Sequence, residues 1–187
     1  SEMCIRDRRN IKNPDRLHDV IADYNPPASW RPRKADKASA YRTFWKYYLR
    51  QVIIKREWVE LAGLCESILY GSGYDNIESE YRTYCRPYAY EYENILSYFV
   101  FRYFLKGVFD RDVLTKVKMA IVSTLMIMQC DMAVWKRNGG SLLFTERVDI
   151  AHLYSREVEH SEENFAALCK LFAHKKVFDE AGLDALL

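Results

Sequence analysis

The chain is poor in residues that break regular structure. Only 7 glycines and 5 prolines punctuate 187 residues, which favours long helices over many short strands. No strand pattern of convincing length and no internal repeat is visible. Cysteines are few and scattered: Cys4, Cys65, Cys85, Cys130 and Cys169 include no CxxC pair. That spacing is neither a zinc pattern nor a disulfide framework, and free thiols in a reducing cytoplasm fit it. Catalytic signatures are missing too. There is no GxSxG, no GxGxxG, no P-loop, and no cysteine at an evident electropositive helix start with a histidine near it. Gly71-Ser72-Gly73 reads as a loop. Charge of one sign does not dominate, and a net charge of +2 names no partner. The longest apolar run, near residues 119–130, is broken by Ser123, Thr124 and Gln129 and flanked by Lys116, Lys118 and Asp131. It reads as too short and too polar to span a bilayer, so no membrane partner is expected. The N-terminus lacks the apolar run of a signal peptide.

What the chain does have is ordinary bulk with unusual aromatic weight. Hydrophobic residues make up 49% and charged residues 29%, as in a globular domain with a real core or a part of a larger protein. Aromatics include 14 tyrosines, 9 phenylalanines and 4 tryptophans. The first eight residues, SEMCIRDR, look like the translation of a sequencing adapter in a metagenomic assembly, and are expected to be foreign to the fold. On that expectation the chain is a C-terminal fragment whose upstream part is missing.

Helical periodicity organises the remainder. Asn13-Pro14 starts a short amphipathic helix carrying Leu17, Val20, Ile21 and Tyr24, ended by Pro26-Pro27, and residues 28–37 form a basic linker. A helix over about 38–54 lines up Tyr41, Phe44, Trp45, Tyr48, Leu49 and Val52, and a second over 57–70 lines up Trp58, Leu61, Ala62, Cys65, Ile68 and Leu69. Residues 75–85 are a short helix or a loop. Residues 88–106 read as a helix apolar on nearly every side, which predicts a central, buried position, bounded by Pro87 and Gly107. Asp110 or Asp112 caps a long helix that stops at Asn138-Gly139-Gly140; Thr145 caps 146–159; Ser161 caps 162–174; a weak helix follows Asp179. The expected fold is all-α, a single bundle of seven or eight helices filling residues 38–187.

Three features carry chemistry. The apolar helix keeps one polar stripe, Glu91, Asn94, Tyr98 and Arg102. Polar groups on a buried helix need partners. The plain reading is that Arg102 satisfies a carboxylate on a packed neighbour; the functional alternative is a polar pocket inside the bundle. Residues 30–56 hold nine Lys or Arg against the single acid Asp36, with Trp30, Tyr41, Phe44, Trp45, Tyr47 and Tyr48 among them. Such a stretch can bind single-stranded nucleic acid. Four of those aromatics lie on the helix's apolar face, however, so a solvated basic face opposite the acidic stretch 57–110 is preferred and nucleic acid is disfavoured. Finally, His152, Arg156 and His160 stand four apart with Glu159 and Glu163 beside them. Neither HExxH nor a paired ExxH motif is present, and a helix end at His160 breaks the face, so a polar knot between two helix ends is preferred to a metal site.

Three segments together resemble the C-terminal half of the bacterial flagellin lysine-N-methylase family. They are Arg56-Glu57-Trp58 opening a helix; Tyr92-Glu93-Asn94-Ile95-Leu96 with the aromatic run after it; and Tyr154-Ser155-Arg156-Glu157-Val158-Glu159-His160 followed by Asn164. The likeness covers roughly residues 41–171. It implies a cytoplasmic enzyme that moves methyl groups from S-adenosylmethionine to lysine ε-amines of flagellin. The family also has a cysteine-rich N-terminal half associated with an iron–sulfur cluster. That half is not in this sequence, and no ligand of either group can be carried over to a residue here. Glu93, Asn94, Ser155, Arg156, Glu159, His160 and Asn164 match recurring positions of the family. Glu91, Tyr98, Arg102 and Tyr154 complete the expected polar cluster. A lysine must be neutral to be methylated, and its free pKa is about 10.4, so Glu159, Glu163 and His160 are the candidate proton acceptors. The rival reading is a non-enzymatic ligand-binding or dimerisation module of a transcription regulator, whose upstream part would be a helix-turn-helix rather than a cysteine cluster.

Overall fold

The computed structural model describes residues 36–184 and 186. The expected N-terminal helix and most of the basic linker lie outside the described residues. Among the described residues the fold is all-α. Helices α1 (Lys37–Tyr48), α2 (Arg56–Ile68) and α3 (Tyr74–Cys85) precede a 3-10 turn at Arg86–Tyr88. Two long helices follow, α4 (Ala89–Asp110) and α5 (Val113–Arg137). Then come α6 (Phe144–Tyr154), a π-helical turn at Ser155–Glu159, α7 (Glu162–His174) and the short α8 (Glu180–Asp184).

The caps follow the local chemistry. Asp36 accepts from the Ser39 amide, Asp112 from Thr115, and Ser161 from Asn164, each satisfying a first-turn donor. Thr145 does not cap α6. The helix begins two residues earlier, at Phe144, and the Glu146 carboxylate accepts from the Leu143 amide at 2.8 Å. Gly139 and Gly140, both at positive φ, end α5 where expected. Gly107 does not end α4, which runs to Asp110. It allows the close approach of the α4–α5 corner instead, since a Cβ there would sit 3.0 Å from the Val113 Cα.

The core is aromatic. Tyr41, Phe44, Trp45 and Tyr48 of α1 are buried against Trp58, Tyr70, Tyr74 and Tyr154, as the apolar face of α1 predicts. Lys37 and Arg42 of the basic stretch pair with Glu78 and Glu66, acids of the 57–110 stretch.

The centre of the bundle is α5, not α4. Only Phe99 and Tyr103 of α4 are buried among its described side chains, whereas α5 buries residues along nearly its whole length. The sequence misleads because α5 carries polar groups that look solvent-facing. Inside, they have partners: Ser123 accepts from the Tyr154 hydroxyl, Gln129 donates to the Tyr74 hydroxyl, and Asp131 accepts from Tyr92. By length and composition α5 is also the one described helix apolar enough to cross a bilayer, but 78% of its most apolar window is buried in the bundle. Its hydropathy is that of a core helix. Conversely, the outer face of α4 leaves large apolar side chains uncovered.

Candidate functional site

The polar stripe of α4 meets α6 and the π turn. Glu91 pairs with Arg147 at 2.9 Å, and Arg102 pairs with Glu159 at 2.9 Å. The pairs occur in the same order along both elements, so α4 and α6 run side by side and parallel. The Glu159 carboxylate is the focus. One of its oxygens accepts from Tyr98 at 3.1 Å, Arg102 at 2.9 Å and Tyr103 at 2.8 Å. The carboxylate is only 2% exposed, while Arg102 is half-exposed at the rim. Burial, together with the Glu159 charge, pushes the Tyr98 and Tyr103 phenols up, so both stay protonated donors. The plain reading of the stripe therefore describes the geometry: Arg102 satisfies a carboxylate on a neighbour. Glu93, Asn94, His160 and Glu163 are exposed and do not join Glu159 in this knot.

The π turn explains why the His152, Arg156 and His160 row divides. It is closed by the His160 amide donating to the Ser155 carbonyl at 3.1 Å. A π turn inserts a residue relative to α-helical spacing, which carries His160 away from the other two. Among the described residues no group of three or more His, Cys, Asp or Glu converges on a common point.

Behind the turn lies a buried staple. Asn164 accepts from the Val52 amide at 2.9 Å and donates to the carbonyls of Val52 at 2.8 Å and Glu157 at 2.7 Å. Glu157, itself buried, accepts from the amides of Ile54 and Lys55. These two side chains bond the amides of Val52, Ile54 and Lys55 and the Val52 carbonyl in a non-helical conformation, so α1 stops at Tyr48 instead of reaching residue 54 as the apolar spacing predicts. Tyr154 completes this region from inside, linking the hydroxyls of Tyr48 and Ser123.

Asp131 is an ionisable group that the sequence did not single out. It is buried in α5, and burial pushes its carboxyl up to about 7 despite the opposing Tyr92 hydrogen bond and Arg147 charge. Its second oxygen has no hydrogen-bond partner, an arrangement that suits a neutral carboxyl.

One open cleft lies elsewhere, between α2 and α6. It encloses about 590 Å³. Glu57, Glu60, Leu61 and Leu64 form one face of α2 at helical spacing; Asp149, Ile150 and Leu153 of α6 and Arg156 of the π turn form the other wall. Aliphatic side chains make the floor. Charges of both signs make the rim, with Lys55 and Arg137 closing it and His152 beside Asp149. Of the sequence candidates only Arg156 lies here, together with His152 of the divided row. The acids Glu57, Glu60 and Asp149 were missed because charged positions on an amphipathic helix look like a solvated face; the signal was the spacing of three, one and three shared by Glu57, Glu60, Leu61, Leu64 and by Asp149, His152, Leu153, Arg156.

The four described cysteines do not gather at one point. Cys65 and Cys130 face one another across α2 and α5, with the Cys65 thiol 3.8 Å from the Gln129 carbonyl, whereas Cys85 and Cys169 lie at other points of the bundle. Burial raises the thiols of Cys85, Cys130 and Cys169, which disfavours the thiolate needed for nucleophilic or ligand chemistry.

No curated protein and no solved structure matches the chain. The family described as the FliB lysine N-methylase C-terminal domain matches residues 6–185. That span takes in every helix described above, the Glu159 knot, the Asn164 staple and the α2–α6 groove, and the chain belongs to the FliB lysine N-methylase C-terminal domain family.

Proposed function

We propose that this chain is the C-terminal part of a protein lysine methyltransferase. The complete enzyme transfers methyl groups from S-adenosylmethionine to lysine ε-amines of flagellin in the cytoplasm. In this reading the fragment is inactive alone, and its share of the work is to seat the protein substrate. The observation that carries the reading is the family match over residues 6–185.

The division of labour follows from what the described residues can hold. An iron–sulfur cluster needs converging thiolates, and beyond the Cys65–Cys130 pair the described cysteines lie apart, with the thiols of Cys85, Cys130 and Cys169 raised by burial, so they do not fit one. A sulfonium is held well by aromatic faces, and the α2–α6 groove is lined by none, so it does not fit the methyl donor either. Both groups belong in this reading to the upstream half of the enzyme.

The groove suits a segment of polypeptide. Its aliphatic floor can take apolar side chains. The rim acids Glu57, Glu60 and Asp149 can take a lysine ε-ammonium. Carboxylates favour the charged form of lysine, so they dock the side chain rather than activate it, and the proton is lost where the methyl group is transferred. The Glu159 knot serves as an anchor between α4 and the π turn. One of its oxygens is already taken by three donors, one of them cationic.

The test is to co-express the complete enzyme with flagellin and map lysine methylation by mass spectrometry. Methylated lysines that vanish when the enzyme is omitted support the reading. Flagellin left unmodified by a folded, cofactor-loaded enzyme overturns it.

A further inference from the structure

The corner between α4 and α5 exposes an apolar face. Phe101 is 82% exposed and Phe109 86%. Val100, Phe104, Val108, Val113, Leu114 and Val117 are exposed around them. An aromatic side chain offers about 150–250 Å², so these residues leave on the order of 800 Å² uncovered. Single-chain proteins seldom expose apolar patches beyond about 300–600 Å², and a standard interface takes about 800 Å² from each partner.

Two cations at the edge of this face are engaged. Lys116 at its edge is bonded to Asp110 at 2.7 Å, and Lys106 lies over the Phe165 ring at 5.2 Å from the centroid. Val100, Phe104 and Val117 line a shallow cleft between the two helices, closed by the stem of Lys116. Gly107 lets the two helices approach closely at this corner.

We propose that this corner is a self-association surface, and that its occupant is the same corner of a second copy of the chain. The area argues for a stable pair, and so does the symmetry of the stripe. Phe101 and Phe109 stand eight residues apart on α4, a little over two turns, at opposite ends of the exposed stripe. An antiparallel pairing about a two-fold axis through the middle of that stripe sets Phe101 of one copy against Phe109 of the other, twice. The surface is thus self-complementary, as an isologous interface must be. The α2–α6 groove is built from other helices and stays open in such a pair.

The experiment uses the full chain. Sedimentation equilibrium at micromolar concentrations should give a dimer. Phe101→Glu with Phe109→Glu should halve the apparent mass while the far-ultraviolet helical signal is kept, because both side chains are already exposed. Tyr90→Glu, an exposed aromatic at the far end of α4, should leave the dimer intact. In a mixture of Phe101→Cys and Phe109→Cys chains, a bifunctional thiol reagent should join unlike chains at least ten times faster than like chains. A monomeric wild type overturns the proposal, as would be expected if another part of the complete enzyme covers the face. A dimer untouched by the two glutamates, or open-ended aggregates in place of a closed pair, overturns it as well.

Discussion

Arg102 and Glu159, 57 residues apart in sequence, meet at 2.9 Å, with Tyr98 and Tyr103 donating to the same oxygen. This contact fastens the outer helix α4 to the π turn that leads into α7. The guanidinium is half-exposed and the carboxylate is not, so the two partners are unequal. Arg102→Ala removes a rim charge and should cost about 0.5–1 kcal/mol. Glu159→Ala strands two tyrosine donors as well and should cost about 2–3 kcal/mol. Glu159→Gln keeps an acceptor and should fall between them. Urea unfolding of the three variants checks the order, and equal losses for Arg102→Ala and Glu159→Ala would deny Glu159 its central place.

Asp131 gives the fold a pH dependence of definite sign. Burial lifts its carboxyl from 3.8 to about 7 in the folded chain. Between those values the folded state binds the extra proton, so stability falls as pH rises. The contribution is fully present below the unfolded value and is lost as pH passes through about 7. The facing groups set its size: Tyr92 donates to the carboxyl, Arg147 opposes the shift, and Glu91 adds to it. Asp131→Asn keeps an acceptor for Tyr92 and removes the titration. Its melting temperature should overtake that of the wild type as pH is raised from 6 to 8, and parallel curves for the two proteins would refute the assignment.

The all-α class, the order of the helices and the burial of the α1 aromatics were legible in the sequence. All three follow from strong periodicity and few breakers, signals that are local. The placing of α4 was not legible. Phe101 and Phe104 fall in the stretch 88–106 that reads as buried yet are exposed, whereas Ser123, Gln129 and Asp131, which break or flank an apolar run, are buried. Which helix lies innermost depends on long-range pairing such as Tyr154 with Ser123, and no single segment records that. The partnership of Arg102 with a neighbouring carboxylate was legible because a charge on an apolar helix needs a partner. The groove was not, since each of its walls looks like an ordinary amphipathic helix alone.

Asn164 fixes a segment that apolar spacing assigns to helix. Its amide bonds both the N–H and the C=O of Val52 and reaches the Glu157 carbonyl. Asn164→Ala leaves these groups buried and should cost about 3 kcal/mol. Asn164→Asp keeps the acceptor but not the two donated bonds, and should cost at least as much. Amide hydrogen exchange should show Val52, Ile54 and Lys55 losing protection ahead of the α5 amides. A uniform loss across the chain would mean that the staple acts globally rather than on this segment.

In the function proposed for it, this domain seats the protein substrate of the complete methyltransferase in the α2–α6 groove. Steady-state methylation of flagellin by the complete enzyme carrying Glu57→Gln, Glu60→Gln and Asp149→Asn tests it most directly. The account predicts a KM for flagellin raised about tenfold or more with kcat little changed, the pattern of lost substrate binding. A kcat that collapses while KM for flagellin stays put would contradict it, since the groove acids would then act in the chemical step and not in docking.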